Sequence, residues 1–517
     1  MREQQAMPDS LQKILVKATT LNGPQLVNLA QNPLVRKTVT RQVEKQLMQW
    51  LKNSRSNPEF LPGVEDDRIA IGLGIMGSID RALANRALSP ATIHAILELL
   101  VQGLLFNHGD ETAAQRFEKE YGQKPPTFLL LSPSKACNLR CTGCYADSTD
   151  QPQSLDWDTV DRMISEAKSL WGARFFVFSG GEPFAYRSGG KGIVDLIEKH
   201  SDCFFMAYTN GTLITDEISQ RLSRDGNMLL CISVEGWKQR TDERRGAGVF
   251  DRIIETMDRL HQDGVPFGIS LTGTRYNVEE ILSDEFIDFF ISKGVLFAWL
   301  FQYMPIGRGF TLDLMVTPEQ RTWMWRRSWE IVREKKFFLA DFWNSGTACD
   351  GCLSAGGHGH GGYFYVDWNG AVSPCVFLPF SPVNIKDIYA RGGNLNDAWK
   401  EPFFHAIRDW QHAYSNSHRN GIAPCPNRDH HDELEQLIRQ FEPEPIDQNA
   451  AETLRDPSYS RGLRDYDRKF AALTQEIWKR HYIEGEDGKG DSIAPLPEVP
   501  HFSEIKPVEI SETELVK

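Results

Sequence analysis

Several features are missing from this 517-residue chain, and each absence excludes a class of protein. No apolar run is long enough to span a bilayer. The best candidate, residues 93–106, is too short and is interrupted by Glu98, Gln102 and Gly103. The N-terminal MREQQAMPDSLQKIL has no basic segment leading into an apolar core, so no secretion signal is read and a cytoplasmic location is expected. Positive charge is also short. Lys and Arg number 57 against 70 Asp and Glu, a net charge of −13. That argues against a general nucleic-acid binder, which needs a basic field to displace counterions. The first 124 residues contain no cysteine and no convincing strand.

What is present is an ordinary globular composition, 41% hydrophobic and 25% charged, in a chain too long for one compact core. Its nine cysteines are odd in number and uneven in placement. Three crowd into residues 137–144, four lie between 349 and 425, and Cys203 and Cys231 sit inside apolar runs. In a chain read as cytoplasmic, structural disulfides are not expected and metal ligation becomes the first reading for the two groups. Cys203 and Cys231 are expected to act as small core hydrophobes.

The texture of the sequence divides it into four stretches. Residues 1–124 space their apolar residues three and four apart over 33–53 and 90–106, as amphipathic helices do, and Ser89-Pro90 reads as an N-cap followed by proline in the first turn. A helical N-terminal domain is expected, closed by Lys124-Pro125-Pro126. From 125 to 310, short apolar runs at 127–132, 174–179, 203–209, 229–234, 266–272 and 297–303 alternate with helical stretches. Being apolar at nearly every position, they read as strands of a parallel sheet buried on both faces. Val160, Met163, Ile164, Ala167 and Trp171 mark the buried face of the first intervening helix. The fold class is α/β, a partial (β/α)6 TIM-type barrel whose functional residues should gather at the C-terminal rim. Residues 311–440 form a small Cys-rich extension, beginning with a helical texture opened by Thr317-Pro318-Glu319. Its Gly-, Pro- and Cys-rich part, 346–430, needs a staple. Residues 441–517 should hold helices around 462–482 and then an acidic, Pro-rich, partly disordered tail.

The central motif is Cys137-Asn-Leu-Arg-Cys141-Thr-Gly-Cys144, in the loop after the first strand. Soft thiolates in one short loop suit an iron–sulfur cluster or zinc. Three thiolates on a four-iron cube would leave one iron open, whereas a closed structural site uses four. With the aromatic Tyr145 behind it, this C-x₃-C-x₂-C spacing resembles the signature of the radical S-adenosylmethionine (SAM) superfamily. The resemblance covers about residues 127–310.

The resemblance implies a catalytic [4Fe–4S] cluster on Cys137, Cys141 and Cys144, with SAM on the open iron. Ser179-Gly180-Gly181-Glu182-Pro183 is similar to the family's GGEP motif, which implies that backbone groups and Glu182 meet the SAM amino group. Thr209-Asn210-Gly211 and Ser233-Val-Glu235-Gly236 end the next two strands. The latter is similar to the family's S-x-D-G, with Glu235 in place of Asp, so Ser233 is the preferred cofactor contact. Arg245 matches an arginine that pairs with the SAM carboxylate, a role that suits a planar guanidinium. Asn277 and Gly307-Arg308-Gly309 fall where members contact nucleoside or substrate.

Cys349, Cys352, Cys375 and Cys425 form a second set. Gly370 to Cys375, together with Asn384, Ala398-Trp399 and Pro402-Phe403, resembles SPASM or twitch-type extensions, which hold auxiliary iron–sulfur clusters. Four cysteines imply one auxiliary [4Fe–4S] cluster, where a full SPASM domain would hold two. Zinc, completed by His358 or His360 or by His430 and His431, is the alternative. The Gly-rich loop 354–362 is expected to face substrate.

The function implied is a radical SAM enzyme. It cleaves SAM reductively to a 5′-deoxyadenosyl radical and abstracts hydrogen from a substrate C–H bond. Such an enzyme is oxygen-sensitive and needs an electron donor such as flavodoxin or ferredoxin. A peptide or protein is the first substrate class. A lipid or small metabolite is the second, favoured by a helical N-terminal region without the strands of peptide-recognition modules. A non-catalytic iron–sulfur or zinc scaffold is the alternative from another class. A cobalamin-dependent methyltransferase is discounted, because the first 124 residues have no D-x-H-x-x-G phosphate-loop signal.

Overall fold

The six segments read as strands form six consecutive neighbours of one parallel sheet. The computed structural model describes residues 23–55, 57, 60–96, 112–150, 153–349, 351–356, 362–485 and 492–506. The strands are β1 (Phe128–Leu131), β2 (Phe175–Phe178), β3 (Phe204–Thr209), β4 (Met228–Val234), β5 (Phe267–Gly273) and β6 (Phe297–Gln302). All pair in parallel in that order. Helices cross between them, and each starts or stops where its sequence signals it. The first crossover is capped by Asp156, which accepts from Thr159 N at 2.7 Å. Its predicted face is buried throughout, from Val160 to Trp171.

The sheet does not stop at residue 310. A seventh parallel strand, β7 (Phe338–Asp341), continues from β6 after a helix, Pro318–Lys335, opened by a capping box between Thr317 and Gln320. The boundary read at 310 therefore runs through the sheet, and the helical texture read over 311–345 ends in a strand. On the other flank, β8 (Tyr363–Val366) pairs in parallel with β1, and β9 (Ala371–Ser373) turns back antiparallel against β8. The Cys-rich extension is thus stitched into the barrel sheet rather than appended to it.

The N-terminal region is helical, as expected. The predicted helix over 33–53 spans Pro33–Arg55, and Ser89 Oγ accepts from Thr92 N at 3.1 Å to cap a helix that runs from 90 to 96. The rest of the 90–106 prediction lies outside the described residues. The helix Pro62–Ala84 packs on β7, on Pro318–Lys335 and on the C-terminal helix. Its contact is close. A Cβ at Gly77 would sit 2.3 Å from the Lys336 carbonyl. Glu65, Asp66 and Asp67 lie on its buried face.

The C-terminal helices span Pro457–Ile477 and Trp478–Glu484, the second in π geometry. The tail beyond them is held where it is described. Ala494 is buried, its N–H donates to Asp66 at 3.3 Å, and Arg333 and Arg326 donate to the Ala494 and Pro497 carbonyls. Residues 507–517 lie outside the described set. No described helix is long and apolar enough to cross a membrane.

Candidate active site

The first loop of the barrel is built to present Cys137, Cys141 and Cys144. It leaves β1 through Ser134 to Ala136, which pair with residues 149–154. The GGEP turn locks onto this segment: Gly181 N donates to Ser134 O at 2.9 Å and Glu182 N to Ala136 O at 2.7 Å. A Cβ at Gly181 would lie 2.1 Å from the Ala136 carbonyl, so glycine is needed there for chain against chain. From the opposite side Arg308 straps the loop. Its N–H meets Cys144 O at 2.9 Å, its guanidinium meets Cys141 O at 3.1 Å and Asp147 at 3.0 Å, and it also donates to Ser148 O. Arg308, in the Gly307-Arg308-Gly309 run expected near nucleoside or substrate, thus holds the cysteine loop.

The other predicted residues converge on the same rim. Cys137, Cys141, Cys144, Tyr145, Gly180, Gly181, Glu182, Asn210, Ser233 and Arg245 all line one cavity of about 460 Å³. Tyr145 Oη meets Ser179 Oγ at 2.6 Å and accepts from Gly180 N at 3.2 Å. Glu182 is buried and accepts from Thr209 Oγ1 at 2.7 Å, Asn210 N at 2.8 Å and Phe184 N at 3.1 Å. Burial pushes its carboxyl above the usual range against these bonds. A carboxylate has about four acceptor sites, so capacity remains for an ammonium. Asn210 Nδ2 reaches Asn138 at 2.9 Å and lies 3.9 Å from Cys137 Sγ. The longer Glu235 is buried and clamps both Arg244 and Arg245, the latter at 2.5 and 3.0 Å. Ser233 faces the cavity and Glu235 does not line it. Asn277 ties the Glu235 and Thr272 carbonyls together, also away from the cavity lining.

Cys349, Cys352, Cys375 and Cys425 line the far side of the same cavity. Cys349 ends a turn, Gly346–Cys349, that follows β7. Cys375 Sγ meets Tyr363 Oη at 3.1 Å and Phe377 N at 3.4 Å. Cys352 donates to Ser354 Oγ at 3.3 Å, which also receives Gln411 Nε2 at 2.8 Å. Cys425, remote in sequence, lies beside Cys352 and is anchored through Asp429 to the buried Arg321. His430 is committed to the Ala423 carbonyl at 2.9 Å between Trp410 and Tyr414, and His431 faces Glu435. Neither lines the cavity. His358 and His360 lie outside the described residues. Cys203 and Cys231 are buried in the core, as read.

The thiols fit metal ligation. Burial pushes Cys137 and Cys375 up to about 12 and raises Cys141 against the nearby Arg245 and Arg244, and a bound metal would favour their thiolates. Among the described residues, no three His, Cys, Asp or Glu side chains converge as a mononuclear ion requires. The sulfurs of a cubane stand further apart, one on each iron.

The sequence reading passed over three contributors. Ile71, from the helix Pro62–Ala84, reaches the cavity, as do Gln302 and Asp341 at the ends of β6 and β7. Asp341 is buried, its carboxyl raised by that burial, and it accepts from Gln302, Trp343 N and Asn344. Three successive acids, Glu65 to Asp67, at the start of a helix with a long apolar middle were a legible sign that this helix meets polar partners.

The family model for the Radical SAM superfamily matches residues 131–285. The AdoMet-dependent heme synthase of Methanosarcina barkeri is 27% identical over 289 residues, 51% of this chain and 80% of that protein. The sporulation killing factor maturation protein of Bacillus subtilis is 28% identical over 163 residues, 30% of this chain and 38% of that protein. A crystal structure of Streptococcus suis SuiB bound to S-adenosylmethionine aligns with a TM-score of 0.46 at 19% identity, covering 57% of this chain and 71% of that one. The cofactors of the family are SAM and a [4Fe–4S] cluster. Cys137, Cys141, Cys144 and the GGEP turn on the cavity wall all fall within the matched stretch, and residues 131–285 of this chain are similar to the Radical SAM superfamily.

Proposed function

We propose that the chain abstracts hydrogen from a C–H bond of a substrate seated between its two cysteine sets. The observation that carries this is the single cavity lined by all seven cysteines. Cys137, Cys141 and Cys144 would hold the catalytic [4Fe–4S] cluster, and Cys349, Cys352, Cys375 and Cys425 one auxiliary cluster. With SAM bound, the catalytic cluster supplies the one-electron chemistry that yields a hydrogen-abstracting carbon radical. The chain's own residues bind and shield. Glu182 would offer acceptor capacity to the SAM ammonium, Ser233 on the cavity wall would offer a hydroxyl to the nucleoside, and Arg245, held by Glu235, would offer positive charge to the SAM carboxylate. The apolar walls exclude water from the reacting centre. An external one-electron donor of the flavodoxin or ferredoxin kind completes the set.

Two substrate classes draw support from relatives. The maturation protein of B. subtilis supports a peptide or protein substrate. The heme synthase, matched over far more of its length, supports a small organic molecule.

The test is anaerobic reconstitution with iron and sulfide, then SAM and dithionite, reading 5′-deoxyadenosine and iron per chain. About eight irons, as two cubane clusters hold, with 5′-deoxyadenosine abolished in Cys141→Ala, is the expected result. A Cys352→Ala/Cys375→Ala pair should keep about four of them. A fully loaded protein that forms no 5′-deoxyadenosine with or without candidate substrates overturns the reading.

A further inference from the structure

The interior of the barrel is open along its length. The cavity begins at Phe128, Phe175 and Phe338, the first residues of β1, β2 and β7, and reaches the rim at Ser179 and the cysteines. At a rise of about 3.3 Å per residue this is a depth of roughly 13 Å before the rim loops are counted. Closed barrels fill this space with bulky branched side chains. Here the cavity-facing positions of the middle strands are small: Ser233 on β4, Ser270 and Thr272 on β5. The rest of the wall is mostly apolar, led by Leu130, Val177, Met206 and Trp299, with Tyr208, Gln302 and Asp341 among its polar members.

Charge is confined to one end. Arg244, Arg245 and Glu182 sit beside the first cysteine set. Along the remainder, the described lining has no Lys, Arg or His, and its single carboxylate, Asp341, is engaged by Gln302 and Asn344. A multiply ionised substrate pushed into such a wall would lose hydration without gaining partners.

The N-terminal helices add two observations. Ile71 lines the cavity and Ile75, one turn further on the same helix, is exposed. Leu29 and Leu34, on the neighbouring helices, are exposed as well. The helix Pro33–Arg55 carries six Lys and Arg against one Glu in a chain of net charge −13, and of these Arg36 pairs with Asp80 and Arg55 with Asp66 on the neighbouring helix. Apolar side chains beside a basic helix suit the surface of an anionic membrane.

We propose that the occupant of this chamber is the hydrocarbon chain of a lipid, threaded into the barrel with its headgroup left at the N-terminal helices, so that the C–H bond attacked belongs to an alkyl or isoprenoid segment. This rests on the radical SAM reading above for the attack itself, but the binding can be read without it.

The experiment uses the reconstituted, SAM-loaded full chain and a series of n-alkyl maltosides from hexyl to dodecyl, below their micelle thresholds, titrated by calorimetry. Each added methylene should tighten binding about fourfold until the chamber is full, the factor that follows from about 0.8 kcal/mol per buried methylene. Ala340→Phe, on β7 within the wall, should bring the plateau to a shorter chain. The wild-type series decides the matter even if that variant fails to fold. Affinity independent of chain length overturns the proposal. So does tighter binding of coproporphyrin III, a tetracarboxylate, or of an unacylated peptide than of the dodecyl probe. Chain-length dependence without 5′-deoxyadenosine formation would sink the catalytic reading and leave the chamber standing.

Discussion

Glu182 illustrates how one side chain serves fold and site together. Both of its oxygens hold the start of the loop after β3, at Thr209 and Asn210, while its face toward the cavity stays available. Glu182→Gln keeps the shape but turns an amide NH₂ toward groups that are themselves donors. Loss of a buried, charge-assisted acceptor costs about 2 kcal/mol. The expected outcome is a lower melting temperature and SAM affinity weakened at least tenfold, read by equilibrium dialysis. Full SAM affinity in a destabilised variant would confine Glu182 to a structural role. The motif spacing made Glu182, Ser233 and the cysteines legible, because chemistry restricts residue type at those positions. Arg308 was legible as important, but what it contacts was not. Whether a guanidinium meets a ligand or a backbone carbonyl depends on where the next loop lies, and that is a tertiary fact.

Among the elements, the helix Pro62–Ala84 joins parts far apart in sequence. Asp67 receives Thr347 Oγ1 and Tyr482 Oη, each at 2.7 Å, and pairs with Arg333 at 3.3 Å. Thr347 lies two residues from Cys349, so an N-terminal helix and a C-terminal helix together fix the turn that carries that thiol. Burial outweighs these partners and raises the Asp67 carboxyl to about 6. Since the folded value exceeds the unfolded one, the protonated form favours the fold. This group's contribution is fully present below about pH 4 and is lost as pH rises through 6. Urea unfolding of Asp67→Asn should therefore show a shallower fall in stability between pH 4 and 6 than the wild type, by up to about 3 kcal/mol. Identical slopes would mean that Asp67 does not titrate in this window. The helical character read for residues 1–124 covered this element without singling it out. Its position on the sheet edge was hidden, because a glycine such as Gly77 reads as a helix weakness until the Lys336 turn ahead of β7, which it accommodates, is seen.

On the scale of the whole molecule, six strands were legible because apolar runs bounded by helices have few other readings. The seventh was masked by its place behind a helix, and β8 by the irregular, Gly-rich stretch around it. These two extend the sheet on opposite flanks, β7 beside β6 and β8 beside β1, with β9 beyond β8. A chain cut to residues 125–310 would leave β1 and β6 with open hydrogen-bonding edges over an apolar interior, the arrangement that invites edge-to-edge association. Such a fragment should aggregate where the full chain stays monodisperse by light scattering. A soluble, folded fragment would show that the flanking strands are dispensable.

The pairing of β8 with β1 also sets an order of events at the ribosome. The first strand of the sheet emerges more than two hundred residues before its outer neighbour exists. During synthesis, which proceeds at about 5–20 residues per second, that edge waits uncovered for roughly ten seconds or longer. In a living cell the interval exposes the nascent chain to chaperones and to its own kind. Slowing translation over 132–363 would lengthen the wait, so codon choice in this stretch bears on yield as directly as any residue of the finished fold.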